Sequence, residues 1–244
     1  MREIRVFTDQ PLTTGEEVTL DAISSRHLAT VLRLKSGDPV SLFNGQGGEF
    51  LATLGECSSK RVTASVARFT DTERESPLHI HLGIGMSRGD RMDWLIQKAT
   101  EVGVTEITPL YTERTEVKLK GERAEKKVRH WQQICISACE QSYRNRIPII
   151  HSPITIDQWL RTVEADKKLV LHHRSDHNIR ELGTQQAASA ALLIGPEGGL
   201  SSQEIKLAED ARFTSLTLGP RVLRTETAPV VAISILQSLW GDFL

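Results

Sequence analysis

Along the first seventy positions, hydrophobic and polar residues alternate in short stretches. Residues 5–7 (RVF), 39–43 (PVSLF), 49–54 (EFLATL) and 61–69 (RVTASVARF) are alternating or β-branched, and Gly37 with Asp38 and the GQGG run at 45–48 punctuate them. A pleated strand turns successive side chains to opposite faces, so these runs predict strands joined by turns. A helical piece at 27–33 interrupts them, and the whole reads as a small β-rich domain compatible with a barrel. Beyond the polar link 70–77 the pattern becomes strand then helix, repeatedly. Residues 78–86 alternate as a strand; Met92, Leu95, Ile96, Ala99 and Val102 then fall at helical spacing, with Gly103 placed to end that helix. Further strands are expected at 106–110, 147–150, 168–172, 191–194 and 215–218. A long helix with Val128, Trp131, Cys135 and Ala138 on one stripe is expected over 122–142. Strands alternating with helices predict an α/β fold, a mostly parallel sheet with helices on both faces.

Composition changes this picture little. The 244 residues are enough for one large domain or two smaller ones, and Lys+Arg of 30 against Asp+Glu of 31 leaves a net charge of -1. Attraction to nucleic acid must therefore come from local clusters, because phosphate neutralisation needs cations gathered on one surface. Lys118, Lys120, Arg123, Lys126, Lys127 and Arg129 form one candidate group, and Arg144 with Arg146 another. Three cysteines make no disulfide framework; Cys135 and Cys139, four apart on a helix, read as reduced core residues. The start, MREIRVFTDQ, lacks the apolar core of a signal peptide and no apolar run reaches membrane-spanning length, so a cytoplasmic location is expected.

In open parallel sheets, ligands sit beyond the carboxyl ends of strands. That rule nominates residues 172–174 (HHR), 195–199 (GPEGG) and 219–227 (GPRVLRTET). Ser201 with Glu204 three residues on is a capping box, which starts a helix at Ser202. The glycines permit close ligand approach, but the loop has neither the GxGxxG spacing of a dinucleotide site nor the Lys-Ser/Thr of a P-loop. In the last loop, Thr225 or Thr227 can cap the apolar helix 229–240, with Pro229 in its first turn. Capping leaves Arg221, Arg224 and Glu226 without a task. In that helix Ser234, Gln237 and Ser238 fall on one narrow polar stripe, so most of its surface should be covered by core or by a partner. His79 and His81 share one face of a strand, but no carboxylate or cysteine of matching spacing joins them, and no metal is expected.

At these loops the sequence resembles a known family. LLIGPEGGLS at 192–201 followed by LGPRVLRTETA at 218–228 is similar to the RsmE family of 16S ribosomal RNA uridine N3-methyltransferases, within the SPOUT superfamily. MSRGDRM at 86–92, Gln97 with Lys98, EVG at 101–103, ITPL at 107–110, ACEQ at 138–141 and Arg144 to Arg146 extend the match. RVF at 5–7, His27, VLR at 31–33 and Gly37 with Asp38 carry it into the N-terminal part. The resemblance implies a PUA-like RNA-binding β-barrel over residues 1–72. It implies a SPOUT methyltransferase domain containing a trefoil knot over 73–244. It further implies that S-adenosylmethionine is held by Leu171, His172, Gly195, Glu197, Gly199, Leu218, Gly219, Leu223, Arg224 and Thr225, and that the chain forms a homodimer through its last helix.

The implied reaction takes a proton from uracil N3 and stabilises charge on the flanking carbonyls, which asks for a positioned base and a positioned cation. Arg224 or Arg221 suits the carbonyls; Glu226 is the candidate base, with Glu197 and Glu140 as rivals. Arg5, Arg33, Arg61, Arg88, Arg144 and Arg146 are the candidate RNA contacts, and 16S ribosomal RNA of the small subunit is the implied partner. Two other functions fit the same loops: another SPOUT enzyme such as a ribose 2'-O-methyltransferase, and a non-catalytic RNA-binding assembly factor.

Overall fold

The computed structural model describes residues 3–243 apart from 118, 174, 176 and 183–185, so the expectations for Lys118 and Arg174 lie outside the described residues. The chain divides into two compact units, Met1–Glu75 with Cys139–Ile147, and Ser76–Ala138 with Pro148–Leu244. A single cut after residue 72 does not reproduce this division, because a segment well inside the expected second domain belongs to the first unit.

In the first unit, β1 (Arg5–Phe7), β2 (Glu17–Thr19), β3 (Pro39–Phe43), β4 (Glu49–Cys57) and β5 (Val62–Thr70) form one sheet in the order β1-β3-β4-β5-β2. Only the β1–β3 pair is parallel; the other pairs are antiparallel, and the β4–β5 ladder shifts register after Leu51 and again after Leu54. The short helix α1 (Ala22–Arg26) is capped by the Asp21 carboxylate and runs into a π-helical turn at His27–Val31. Val6, Leu28, Leu42, Leu54 and Val62 meet in the core of this unit. The strand β2 and helix α1 escape a reading by pattern, since three residues, EVT, carry too short an alternation.

In the second unit, β6 (His79–Gly85), β7 (Glu106–Tyr111), β8 (Ile149–Ile150), β10 (Lys167–Leu171), β11 (Ser189–Ile194) and β12 (Thr214–Leu216) lie in the order β12-β10-β11-β6-β7-β8, with β9 (Ile154–Thr155) beside β7. Every pairing in this sheet is parallel. β11 is buried from Ala190 onward, as expected of a strand covered on both faces. The helices are α2 (Asp90–Glu101), α3 (Glu122–Ser142), whose last four residues belong to the first unit, α4 (Ile156–Thr162), α5 (Ser202–Asp210) and α6 (Thr227–Trp240). Trp159 and Leu160 of α4 pack with Val170, Leu193 and Phe213 in one apolar cluster. Among the described residues no helix is long and apolar enough to cross a membrane.

α5 starts at Ser202 with both bonds of the Ser201–Glu204 capping box formed. α6 is different: its N-cap is Glu226, in helical conformation and without a side-chain cap bond, rather than Thr225 or Thr227. The Thr227 and Ala228 amides donate to the Arg224 carbonyl, each at 3.0 Å, so the preceding turn supplies the acceptor that a capping hydroxyl would have offered. Nor do the polar residues of α6 form one exposed stripe. Gln237 is fully buried, with Ser76 Oγ donating to its Oε1 at 2.6 Å and its Nε2 donating to the Val102 and Gly103 carbonyls.

Candidate active site

β12, β10 and β11 are neighbours in the sheet, and the loops leaving their carboxyl ends surround a cavity of about 650 Å³. Leu171 and His172 line it after β10, Gly195 to Gly199 after β11, and Leu218, Arg221, Leu223 and Thr225 after β12. Placement follows from the parallel topology, which brings strand ends distant in sequence to one edge of the sheet. Within the last loop Thr217 Oγ1 donates to the Gly219 carbonyl at 3.0 Å and accepts from the Gly219 amide at 3.2 Å. That tight turn is why β12 stops at Leu216 rather than continuing to Leu218.

The β11 loop is fixed by steric fit and by hydrogen bonds. A Cβ on Gly195 would lie 2.7 Å from the Leu200 amide nitrogen and 2.8 Å from the Gly199 carbonyl carbon; Gly199 itself has φ of 68°. Only glycine suits such backbone proximity at the first position and such a left-handed conformation at the last. Arg114, just past β7, donates from Nη1 to the Gly198 carbonyl at 2.7 Å and lines the cavity. The buried Glu204 carboxylate accepts from the Glu113 amide at 2.8 Å as well as from Ser201, joining the β7 end to the start of α5.

Glu197 stands on the rim. Its Oε1 accepts from the Arg91 guanidinium at 2.9 Å and from the Arg88 amide at 3.2 Å. Burial pushes its carboxyl upward, but its own backbone N–H, the Arg88 amide and the Arg91 guanidinium outweigh that and hold it below the ordinary carboxylate range. A carboxylate so held is an anchor and a weak proton acceptor.

The other sequence candidates divide clearly. Arg221 lines the cavity with the residues above, whereas Gly219, Arg224 and Glu226 do not. The Arg224 side chain is 81% exposed, and its Nη1 lies 3.9 Å from Glu226 Oε1. Glu140 belongs to the first unit, where it accepts from the Phe7 amide at 3.1 Å, and burial raises its pKa.

Two of the expected RNA contacts are corrected by burial. The Arg5 side chain has no exposed surface: Nη1 pairs with Glu49 at 2.5 Å, and Nη2 donates to Asn145 Oδ1 at 2.6 Å and to the Arg144 carbonyl at 3.1 Å. Arg144 is likewise buried, paired with Glu75 at 2.6 Å. Arg33, Arg61, Arg88 and Arg146 stay at the surface, the last three in ion pairs with Glu56, Glu116 and Glu73. On α3, Lys127 pairs with Asp93 and Arg129 with Glu125, so that cluster is partly neutralised.

The expectation that no carboxylate joins His79 and His81 fails. Glu106 of β7 stands in register with His81, and His151 follows β8 on the other side. Spacing along the chain could not show a neighbour supplied across strands.

Residues 74–237 match the family model of the RNA methyltransferase domain, and residues 24–67 match that of the RNA methyltransferase PUA domain. The ribosomal RNA small subunit methyltransferase E of Buchnera aphidicola from Acyrthosiphon pisum is 35% identical, over 98% of this chain and 94% of its own. The chain belongs to the ribosomal RNA small subunit methyltransferase E family. Another relative of that name, from Bacillus subtilis, is 32% identical over 92% of this chain and 88% of its own. Among solved structures, the methyltransferase E of Neisseria gonorrhoeae bound to S-adenosyl methionine superimposes with a TM-score of 0.92 at 37% identity, covering both chains fully. A Legionella pneumophila protein described as a methyltransferase, solved with the bound cofactor SAM, gives 0.96 at 42% identity, covering 99% of this chain and 100% of its own. Of the residues that sequence reasoning did not reach, Arg114 was within range of the same strand-end rule, since it follows β7 directly.

Proposed function

We propose that this chain transfers the methyl group of S-adenosylmethionine to N3 of a specific uridine in the decoding region of 16S ribosomal RNA. The observation that carries the reading is the cavity at the ends of β12, β10 and β11, walled by the glycine loop at 195–199 and the arginine loop at 221–225. Similarity over essentially the whole chain to two structures solved with the methyl donor supports the same occupant. The wall has both apolar groups, Leu171, Ile194, Leu218 and Leu223, and backbone amides and carbonyls of three loops, a combination suited to an adenosyl and amino-acid moiety. Leu171, His172, Gly195, Glu197, Gly199, Leu218, Leu223 and Thr225 line the cavity and hold the donor, and Gly219 and Arg224 act through the shape of their loop. The strand order, with β10 between β11 and β12, supports the knotted path implied by the resemblance.

In the reaction the N3–H proton leaves uracil, the N3–CH3 bond forms and the sulfonium S–CH3 bond breaks, giving S-adenosylhomocysteine. Negative charge developing on the flanking carbonyl oxygens needs paired, permanent donors, which a guanidinium offers. Arg221 reaches the cavity and the exposed Arg224 stands beside it, positioned to meet an incoming base. Glu226 takes the proton; Glu197 is held by Arg91 and Arg88, and Glu140 is committed to the Phe7 amide. Uracil N3 lies on the pairing edge, so the target nucleotide is unpaired or extruded, and Arg33, Arg61, Arg88 and Arg146 grip the RNA around it. The half-exposed apolar face of α6, with Val230, Val231, Ile235 and Leu239, fits the seam of a homodimer. Ribosomal RNA as substrate places this activity in the cytoplasm.

The test has two parts. With donor saturating, Glu226→Ala should lower the single-turnover rate roughly 10²–10⁴-fold and Arg224→Ala roughly 10²–10³-fold. A wild-type rate removes that residue from the chemistry. Reverse transcription across 16S RNA should lose a stop when the gene is deleted, because N3-methylation blocks pairing; a persisting stop overturns the proposed target.

A further inference from the structure

At the amino-terminal ends of β6 and β7, away from the methyl-donor cavity, the sheet register gathers three imidazoles around one carboxylate. His81 pairs with Glu106 across β6 and β7, Glu106 pairs with Ile149 across β7 and β8, and side chains two apart share a face. His79, His81, Glu106 and His151 therefore project from the same side of the sheet. His151 Nε2 lies 2.5 Å from Glu106 Oε2, His81 Nδ1 lies 3.8 Å from the same oxygen, and His79 Nε2 lies 3.0 Å from Oε1. One ligand atom each from His81, Glu106 and His151 falls within 4.8 Å of the others.

We propose that His81, Glu106 and His151 bind a zinc-like divalent transition-metal ion, with the fourth position filled by His79 or by water. Tetrahedral zinc at its usual bond lengths of about 2.0–2.2 Å sets ligand atoms roughly 3.3 Å apart, a value bracketed by the separations here. Occupation needs the His151–Glu106 pair to open and His81 to close by less than an ångström each. Imidazole and carboxylate together favour zinc and its neighbours over magnesium or calcium, which take oxygen ligands. The ring of His81 is held at Nε2, which lies 2.7 Å from Thr108 Oγ1 and accepts from the Trp159 indole N–H at 3.2 Å; a metal on Nδ1 moves the ring proton to Nε2, where the Thr108 hydroxyl can accept it and the indole N–H must be released. The ion ties β6, β7 and the end of β8 together at the sheet edge opposite to the chemistry. It is a structural fastening, and methyl transfer does not depend on it.

The test uses untagged full-length protein stripped with chelator and titrated with ZnCl2, and separately with CoCl2 followed by ligand-field absorption. Expected are one ion per chain, a tetrahedral Co(II) spectrum, a rise in Tm of roughly 5 °C or more at hundredfold excess over Kd, and at least tenfold weaker binding in His151→Gln and Glu106→Gln. His151 and His79 are partly exposed, so His151→Gln and His79→Gln should keep the fold. If either the His151 or the Glu106 variant fails to fold, zinc should protect His151 of the wild type from diethyl pyrocarbonate. Absence of saturable binding, wild-type affinity in both the His151 and Glu106 variants, or equal modification with and without zinc overturns the site.

Discussion

Replacing Gly195 by alanine places one methyl group against backbone, where nothing can rotate away. The Cβ would stand 2.7 Å from the Leu200 nitrogen and 2.8 Å from the Gly199 carbonyl carbon, and ordinary contact requires at least 3.4 Å. The loop must therefore open by about 0.7 Å at this point, a distance obtained from the same separations. Leu200 cannot supply that movement cheaply. It is 7% exposed, and the next residue, Ser201, is bound through the capping box to Glu204, which also holds the Glu113 amide. Overpacking of this kind costs about 1–3 kcal/mol. If the strain is relieved by displacing the cavity wall, donor affinity falls by roughly 5- to 150-fold. Gly198→Ala is the internal comparison, because its Cβ would meet Arg114 Cβ at 3.1 Å, a shortfall of about 0.3 Å from the same ordinary contact distance where Gly195 lacks about 0.7 Å. Calorimetric titration of S-adenosylmethionine into both variants, with thermal melts alongside, measures the difference. Equal affinities for Gly195→Ala and wild type, with equal Tm, would refute the claim that backbone proximity shapes this wall.

Further predictions concern the first unit and α6. Arg5→Ala leaves Glu49, Asn145 and the Arg144 carbonyl without a buried donor, with Arg74 at 3.5 Å from Glu49 a partial substitute; the stability loss in urea unfolding should be about 3–5 kcal/mol, and a loss below about 1 kcal/mol contradicts the burial argument. Glu140 has a raised folded pKa, so the stability it contributes is full below the ordinary carboxyl value and is lost as pH rises through the folded value. Glu140→Gln keeps an acceptor for the Phe7 amide without the charge, and its Tm advantage over wild type should grow as pH rises through that window; parallel Tm curves refute this. If α6 forms the seam of the proposed homodimer, the wild type sediments as a dimer and Ile235→Asp as a monomer with helicity retained, and an unchanged sedimentation coefficient excludes that face as the seam.

What the sequence made legible was local. The Ser201–Glu204 box, the end of α2 before Gly103 and most strands of the second unit are each encoded within a few residues and appear as expected, although β8 and β12 are shorter than their patterns and β9 had none. α4 had a comparable signal, since Thr155 and Gln158 form a second capping box, but its seven residues show little periodicity. The contacts that escaped reading are long-range: Arg114 to Gly198, Glu113 to Glu204, Arg91 to Glu197 and His81 beside Glu106. Sheet order decides these, and sheet order is not written in any window of sequence. Arginine was the least readable residue of all. Arg5 and Arg146 look alike in a sequence, yet one is sealed beneath Phe43 and Tyr143 rings while the other is more than half exposed.

The return of residues 139–147 to the first unit bears on how such proteins can be recombined. A fragment ending at Glu75 would carry Arg5 and Phe7 without Asn145, the Arg144 carbonyl or Glu140, and so would expose a buried cation and an amide that the intact chain satisfies. The N-terminal module is thus not a cassette that one crossover could exchange between enzymes. Grafting it elsewhere requires that the 139–147 segment travel with it, spliced behind the fifth strand or offered in trans. Descent with both pieces in one chain is the simpler route.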